Sequence, residues 1–505
     1  MSASRKFFGV LLAPALLATH AFATTWVVPP GGAIQPVING TLPGDTVFIS
    51  PSTTPYNQAL TMPNWDITLT GSYGGTVLSG AGLGAPVISF PSGNMNTNNT
   101  VVSNLTIKGA NLAGSGGAIF VQGGSRPTFR NLLLTNNTAT SGGAMYLDLT
   151  VPVASPTMKI SRVVFRENSA ADGGALYMTG SGVGGPIVTT PSVSVLLSHF
   201  ESNNALTALG GNGFGGGALV TGGPGAPKIR FDHSWFQENH AESEGGGLFA
   251  WFKARVEVAE CSFALNTANW RGGGISVEGA YEFRVDDSTF DDDNCSDVLS
   301  EGGHLYMNAQ SKGLHPYTVE NCLFHAGDAY NGGAVTVADT DVAILHSTFT
   351  DNDADAAFGI GGALHTMSFA SLTTVVDCIF WGDGAGLPDP SALGELEIAT
   401  DFGALPPAVS FSDVMLTAGT YPVPFGVGTP NLNANPQLAF GYTCSWSPLG
   451  KAFLNATGPV SPCIDAGSMA FTASGIPANW TTNTAGTPDA GTVDIGFHYP
   501  PTSCP

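Results

Sequence analysis

The chain has 505 residues, with 16 Lys and Arg against 38 Asp and Glu, a formal net charge of −22, and 67 glycines. Charge divides along it: residues 1–230 hold 10 basic and 6 acidic residues, a net of +4, whereas residues 231–505 hold 6 and 32, a net of −26. A surface as acidic as the second part repels nucleic acid and anionic lipid, and disfavours polyuronates except where cations bridge. Solubility of an exported protein accounts for such a surface.

Residues 1–23 read as a secretory leader: Arg5-Lys6, an apolar run from Phe7 to Ala18, then Ala21-Phe22-Ala23. The run is too short for a hydrocarbon core of ~30 Å. Cleavage near Ala23 is expected, with a mature chain that is secreted or at the cell surface. No second apolar segment of spanning length follows, so no transmembrane helix is expected.

Residues 24–115 read as an amino-terminal cap and the first turns of a solenoid. Gly31–Gly40 forms a short amphipathic plug with Ile34, Val37 and Ile38 on one side. Asp45–Ile49, Ile67–Leu69 and Thr76–Leu78 are successive strands, and Val101–Ile107 bends at Asn104.

From 116 to 386 two signatures alternate. Gly-Gly pairs followed by a small residue (His304 in one copy) and then an apolar one begin at Gly116, Gly142, Gly173, Gly216, Gly245, Gly272, Gly302, Gly332 and Gly361. Between them stand Phe165…Asn168, Phe200…Asn203, Phe236…Asn239, Phe263…Asn266 and Phe349…Asn352, with variants at Leu134…Asn137, Phe290…Asp293 and Phe380…Asp383 and a degraded copy at Phe324…Gly327. A repeat of about 30 residues marks a solenoid. Five residues before each Phe lies an apolar row (Phe129, Ile160, Val195 and onward), and two before it a small row (Ser198, Ser234, Cys261, Ser288, Cys322). Strict alternation would put these rows on opposite faces. Both have interior character, so the chain turns between them, at Asn131, Arg162, Leu197, His233, Glu260, Asp287, Asn321, His346 and Asp377. A third strand follows each Gly-Gly, with pairs such as Ile119/Val121 and Leu305/Met307 inward. Three short strands and three corners per turn predict an all-β fold, a right-handed parallel β-helix.

These Gly-Gly-Ala-(Ile/Leu/Val) and Phe-x-x-Asn tetrapeptides resemble those of the chlamydial polymorphic outer membrane protein repeat family. The resemblance spans about residues 116–383 and implies a pectin-lyase-like β-helix that acts as a surface adhesin. No run of alternating strands suited to a membrane barrel follows, so peripheral association with an outer membrane is expected instead. Residues 387–442, rich in proline, read as an irregular terminal coil and loops. Ser461-Pro462-Cys463-Ile464-Asp465-Ala466-Gly467 and Asp494-Ile495-Gly496, within 443–505, resemble a module that ends many secreted bacterial β-helix proteins, and read as a carboxy-terminal cap.

Cys261, Cys322 and Cys378 occupy alternate turns of one row. Turns stack about 4.8 Å apart, so alternate ones are beyond disulfide reach, and these three read as small buried side chains. Cys444, Cys463 and Cys504 offer one bridge near the end, with the pairing open, as is the state of Cys295.

Two functions are weighed. The first is a non-catalytic, adhesin-like or structural surface protein whose partner is an extracellular protein or glycan surface. The second is a polysaccharide lyase or glycoside hydrolase on the same scaffold, which needs paired carboxylates. Its candidates are the Glu260–Asp287 neighbours and Asp291, Asp292 and Asp293 near His304. Against them, the corner row explains Asp287, and Asp291–Asp293 reads as a loop. No cofactor is expected. Asp351, Asp353 and Asp355 have oxygen ligands at calcium-loop spacing, but the loop's glycine and its twelfth-position glutamate are missing, which favours a solvated acidic turn. His304, His325, His346 and His365 lack zinc-ligand spacing. The insertion between Phe200 and Gly216 and the loops near Gly180 and Gly222 are the expected contact points for a partner.

Overall fold

A computed structural model of the chain describes residues 23–149, 157–180, 193–223, 226–309, 317–355, 359–367, 372–385, 397–401, 404–415, 431–440, 452–455, 460–482 and 487–499. Residues 1–22 of the expected leader, Cys444, Cys504 and most of the loop beyond Gly180 lie outside these. Three sheets of parallel strands wind around one apolar core, making a parallel β-helix. The first sheet has 23 strands and carries the segments on both sides of the corner row; the second has 9, and the third, after the Gly-Gly pairs, has 12. At the amino end the helix Gln35–Asn39 closes the core with Ile34 and Ile38 buried.

The corners follow from backbone chemistry. Residues Asn104, Asn131, Arg162, Leu197, His233, Glu260, Asp287, Asn321, His346 and Asp377 all have φ between 47° and 57°. One left-handed residue reverses the pleat, so the rows three apart both point inward, as at Val258 and Cys261. A second left-handed row, two residues after each Phe, runs through Glu167, Ser202, Glu238, Leu265, Asp292 and Asp351. The third is the first glycine of each pair. At Gly272 φ is +60° and an added Cβ would stand 2.1 Å from the Ile275 carbonyl, so only glycine fits. The fourth pair corrects the sequence register: the left-handed glycine is Gly215, and Ala218, not Leu219, takes the inward place beside Leu176.

Inside, identical side chains stack because the strand spacing imposes it. The rings of Phe165, Phe200, Phe236 and Phe263 follow one another at 4.6, 4.5 and 4.6 Å, within 8° of parallel, and the row continues to Phe380. Each buried phenylalanine stabilises by roughly 1.5–3 kcal/mol. Beside them the serine row repairs the backbone at the corner: Ser288 Oγ accepts the Cys261 N–H at 3.1 Å and donates to Asp286 O at 2.7 Å. Cys261, Cys322 and Cys378 are free buried thiols in this row, as expected, and Cys261 Sγ donates to Ala259 O at 3.2 Å. Cys295 and Cys463 are also free.

The asparagines of Phe-x-x-Asn form a buried ladder. Asn168 Nδ2 donates to Asn203 Oδ1 at 3.0 Å, Asn203 to Asn239 at 2.9 Å, Asn239 to Asn266 at 2.9 Å and Asn266 to Asp293 Oδ1 at 2.8 Å. The degraded copy at Gly327 would break it. There His304, which replaces the small residue after its Gly-Gly, fills the space: Nδ1 lies 3.1 Å from Asp293 Oδ2, and Nε2 faces His325 O at 3.0 Å and Asn352 Oδ1 at 3.2 Å. The carbonyl can only accept, so Nε2 carries a proton. Asn352 then donates to Asp383 at 2.7 Å. Two departures from the repeat thus compensate each other.

Coil strands continue past the last motif as Ile398–Thr400, Ala408–Ser410 and Asp413–Val414. The carboxy-terminal stretch lies along the flank of the last coils. Asn321 Oδ1 accepts the His498 N–H and Asn321 Nδ2 donates to its carbonyl, at 2.6 and 3.0 Å. Asp377 accepts from Ser468 N and Oγ at 2.7 and 2.6 Å, and Cys463 Sγ donates to Asp413 at 3.2 Å.

Candidate ligand-binding site on the third sheet

The residue before each Gly-Gly projects outward from the third sheet, and parallel bridges align Glu244, Arg271 and Glu301 on three successive coils. Two further outward rows flank them: Phe249, Ser276 and Tyr306, then Trp251, Glu278 and Asn308. The coil spacing therefore gathers one arginine, three glutamates and several aromatic rings. Arg271 Nε donates to Glu301 at 2.9 Å, and its Nη1 lies 3.6 Å from Glu244 and 3.8 Å from Glu278. The guanidinium sits over the Tyr306 ring, 4.6 Å from its centre, and Ser276 Oγ donates to Glu244 at 3.0 Å.

Burial sets the electrostatics. Glu244 is 5% exposed, and burial, reinforced by Glu278, pushes its carboxyl up to about 7 against the pull of Arg271 and Ser276. Burial also raises the Tyr306 phenol, while for Arg271 it works against Tyr306, Glu244 and Glu301, which keep the guanidinium firmly charged. Next to this buried cluster, Trp270 is 54% exposed, and Val298 and Leu299 stand out on the adjoining coil. Glu301 N donates to Trp270 O, which ties the two coils together at this point. Up the same sheet the rings of Phe120, Tyr146 and Tyr177 stack at 5.4 and 5.2 Å. An exposed indole beside fixed donors and acceptors is suited to a polyhydroxylated ring. Glu244, which titrates near neutral pH, can lend or take a proton.

The residues singled out from sequence are placed elsewhere. Glu260 and Asp287 are neighbours on the corner row of the first sheet. Glu260 lies 2.9 Å from His233 Nε2, and Asp287 accepts from Asn321 Nδ2 at 2.8 Å, its carboxyl pushed up to about 7 mainly by burial. Asp291, Asp292 and Asp293 do not form a loop, which corrects the sequence reading. Asp291 ends the strand Thr289–Asp291 and pairs with His325 at 2.7 Å, Asp292 is a left-handed corner, and Asp293 is a buried rung of the ladder. One residue reverses the pleat, so the three carboxylates point apart.

Asp351 occupies the same corner row as Asp292, and Asp353 stands beside Asp328 on the second sheet. Among the described residues, the acidic and histidine groups whose ligand atoms lie within 4.8 Å of one another are Asp232–His233–Glu260 and Asp465–Asp489–Asp494; Asp351, Asp353 and Asp355 are not such a group. The insertion before Gly216 folds back onto the third sheet, where Phe214 meets Phe249 at 4.8 Å. Glu244, Arg271, Glu278 and Glu301 escaped the sequence reading, which aligned the repeats on phenylalanine. Reading down the column before each Gly-Gly shows the run of charge.

Fold and site together define a parallel β-helix with a largely buried cluster of one arginine and three glutamates against its third sheet. No family model matches the chain, and no curated protein matches it either. Among solved structures it is similar to the A-module of the mannuronan C-5 epimerase AlgE6 of Azotobacter vinelandii, at 15% identity and a TM-score of 0.37, over 76% of this chain and 96% of that one.

Proposed function

We propose that the protein is an exported, surface-associated binding protein whose third sheet recognises a glycan through Arg271 and its surroundings. One observation carries this reading: Arg271 is held by three glutamates over Tyr306, and Trp270, which precedes it in the chain, exposes its indole. An exposed indole and fixed ion pairs provide sugar contacts without any cofactor. The resemblance of the repeats to chlamydial surface proteins supports display outside the cell. A glycan array followed by calorimetry on the mature chain tests it. Arg271→Ala and Trp270→Ala are each expected to weaken binding about tenfold or more. Equal binding by both variants would refute the assignment.

A second reading, cleavage of the bound polysaccharide, is favoured by the grouping of three carboxylates, Glu244, Glu278 and Glu301, around Arg271, with burial raising Glu244 to about 7. Reducing-sugar and unsaturated-product assays on array hits separate the two. Turnover that Glu244→Gln abolishes makes the protein an enzyme, and binding without turnover makes it an adhesin.

A further inference from the structure

On the first sheet, away from Arg271, a furrow runs down the outside of the coils between the corner row and the row two residues later. Over the last coils the chain fills this furrow with its own residues 493–499, which cross the coils instead of following them. Gly496 N donates to Asp377 O at 2.9 Å, Phe497 N donates to Thr348 Oγ1 at 3.0 Å, and Asn321 takes both backbone groups of His498. Phe497 and Tyr499 pack on Leu323, and Ile495 packs on Ile379. The furrow thus holds this segment by hydrogen-bonding its backbone from both rows and covering its apolar side chains with the neighbouring row.

The same two rows continue toward the amino end. There they border a hollow of about 490 Å³ lined by Tyr73, Asn131, Arg162, Val164, Leu197 and His199. Two fittings repeat those of the filled stretch, an asparagine at the corner and an apolar residue at Val164 where Leu323 stands further down, and an aromatic pair is added, His199 on Trp235 at 4.4 Å. Charge is the difference. Arg130, Lys159, Arg162 and Arg166 are exposed on these coils, and the acids nearby are Glu167, Glu201, 2.7 Å from Arg166, and Asp232 on the Trp235 coil, 3.3 Å from Arg230. Further down, the corner row turns acidic at Glu260 and Asp287.

From this continuity and this charge we infer that the amino-terminal stretch of the furrow binds an acidic peptide segment of a partner protein, seated across the coils as residues 493–499 are. The peptide backbone meets Asn131, its apolar side chains lie on Val164 and the His199–Trp235 pair, and its carboxylates meet Arg162 and its basic neighbours.

Fluorescence polarisation on the full mature chain tests this, with a labelled peptide that copies Val493–Tyr499 and carries added glutamates at its amino end. Saturable binding is expected, weakened about tenfold or more by Arg162→Glu and by Val164→Asp, and weakened by added salt. The corner row already accepts Glu260 with φ 50°, so Arg162→Glu is expected to fold, and its circular dichroism and glycan binding should match the parent chain. Three results would overturn the proposal: no saturable binding, binding that neither substitution changes, or an oligouronate that occupies the hollow while the peptide does not. Because Arg162 and Arg271 lie on different sheets, loss of the glycan reading leaves this measurement intact.

Discussion

His304 and Gly327 are best tested as a pair. His304→Ala removes a fully buried ring that faces Asp293 Oδ2 and donates from Nε2 to its partners, leaving Asp293 without its counterpart. Breaking one side of a buried pair costs about 3–5 kcal/mol. Gly327→Asn restores the repeat motif but puts a Cβ 2.5 Å from the His304 ring and 2.6 Å from Gly333 O, so alone it is also expected to destabilise. Combined, the ring is gone and the introduced amide can donate to Asn352 Oδ1 and accept the Asp293 N–H, the pattern of the other coils. The Asp293 carboxyl, which has no amide hydrogen, can only face its oxygen. The carbonyl contact still requires the coil to shift, so recovery is expected to be partial, with a favourable coupling of about 2 kcal/mol. A solenoid need not unfold as one unit, so hydrogen exchange of the amides in 317–355 should be followed alongside chemical denaturation. Costs that simply add in the double variant would refute the idea that His304 substitutes for the missing ladder rung.

Two further outcomes are expected. Ser288→Ala leaves the buried Cys261 N–H without its acceptor and should cost about 1–3 kcal/mol, whereas Cys322→Ser should change stability by less than about 1 kcal/mol, as measured by denaturant midpoints. Stability should also fall as pH rises from about 5 to 8. Glu244 and Asp287 are held near 7 and Asp413 near 6, against 4.5 and 3.8 for free Glu and Asp, so the folded chain keeps protons that the unfolded chain has lost. That advantage is complete below the unfolded values and disappears through pH 6–7. Glu244 alone contributes on the order of 2–3 kcal/mol. His346, which burial lowers to about 4, opposes the trend below pH 6.5. A melting temperature that rises between pH 5 and 8, or a pH slope that Glu244→Gln leaves unchanged, would contradict this.

The coil was legible in the sequence because its chemistry recurs at fixed distances from one aromatic residue. Asn131, Glu260 and Asp377 could be assigned to left-handed corners from their offset alone. The fourth repeat slipped by one because Gly215-Gly216-Gly217 offers two registers, and only the pairing of Ala218 with Leu176 decides between them. Asp293 was misjudged as part of an acidic loop, although its place three residues after Phe290 already marked it as a ladder residue. The charged cluster at Arg271 was hidden by the choice of alignment column. The docking of residues 463–482 and 487–499 was not legible at all. Asn321 and His498 are 177 positions apart, and no periodicity relates them.

That long-range contact also bears on the order of assembly. A chain emerging amino end first can finish each early coil soon after its thirty or so residues appear. The turns around Leu323 and Ile379 must instead wait, greasy flank uncovered, until Ile495, Phe497 and Tyr499 arrive to shield them. Any chaperone that attends this protein should therefore be needed longest there, on its late coils, and a stalled product would stick to its neighbours by that side.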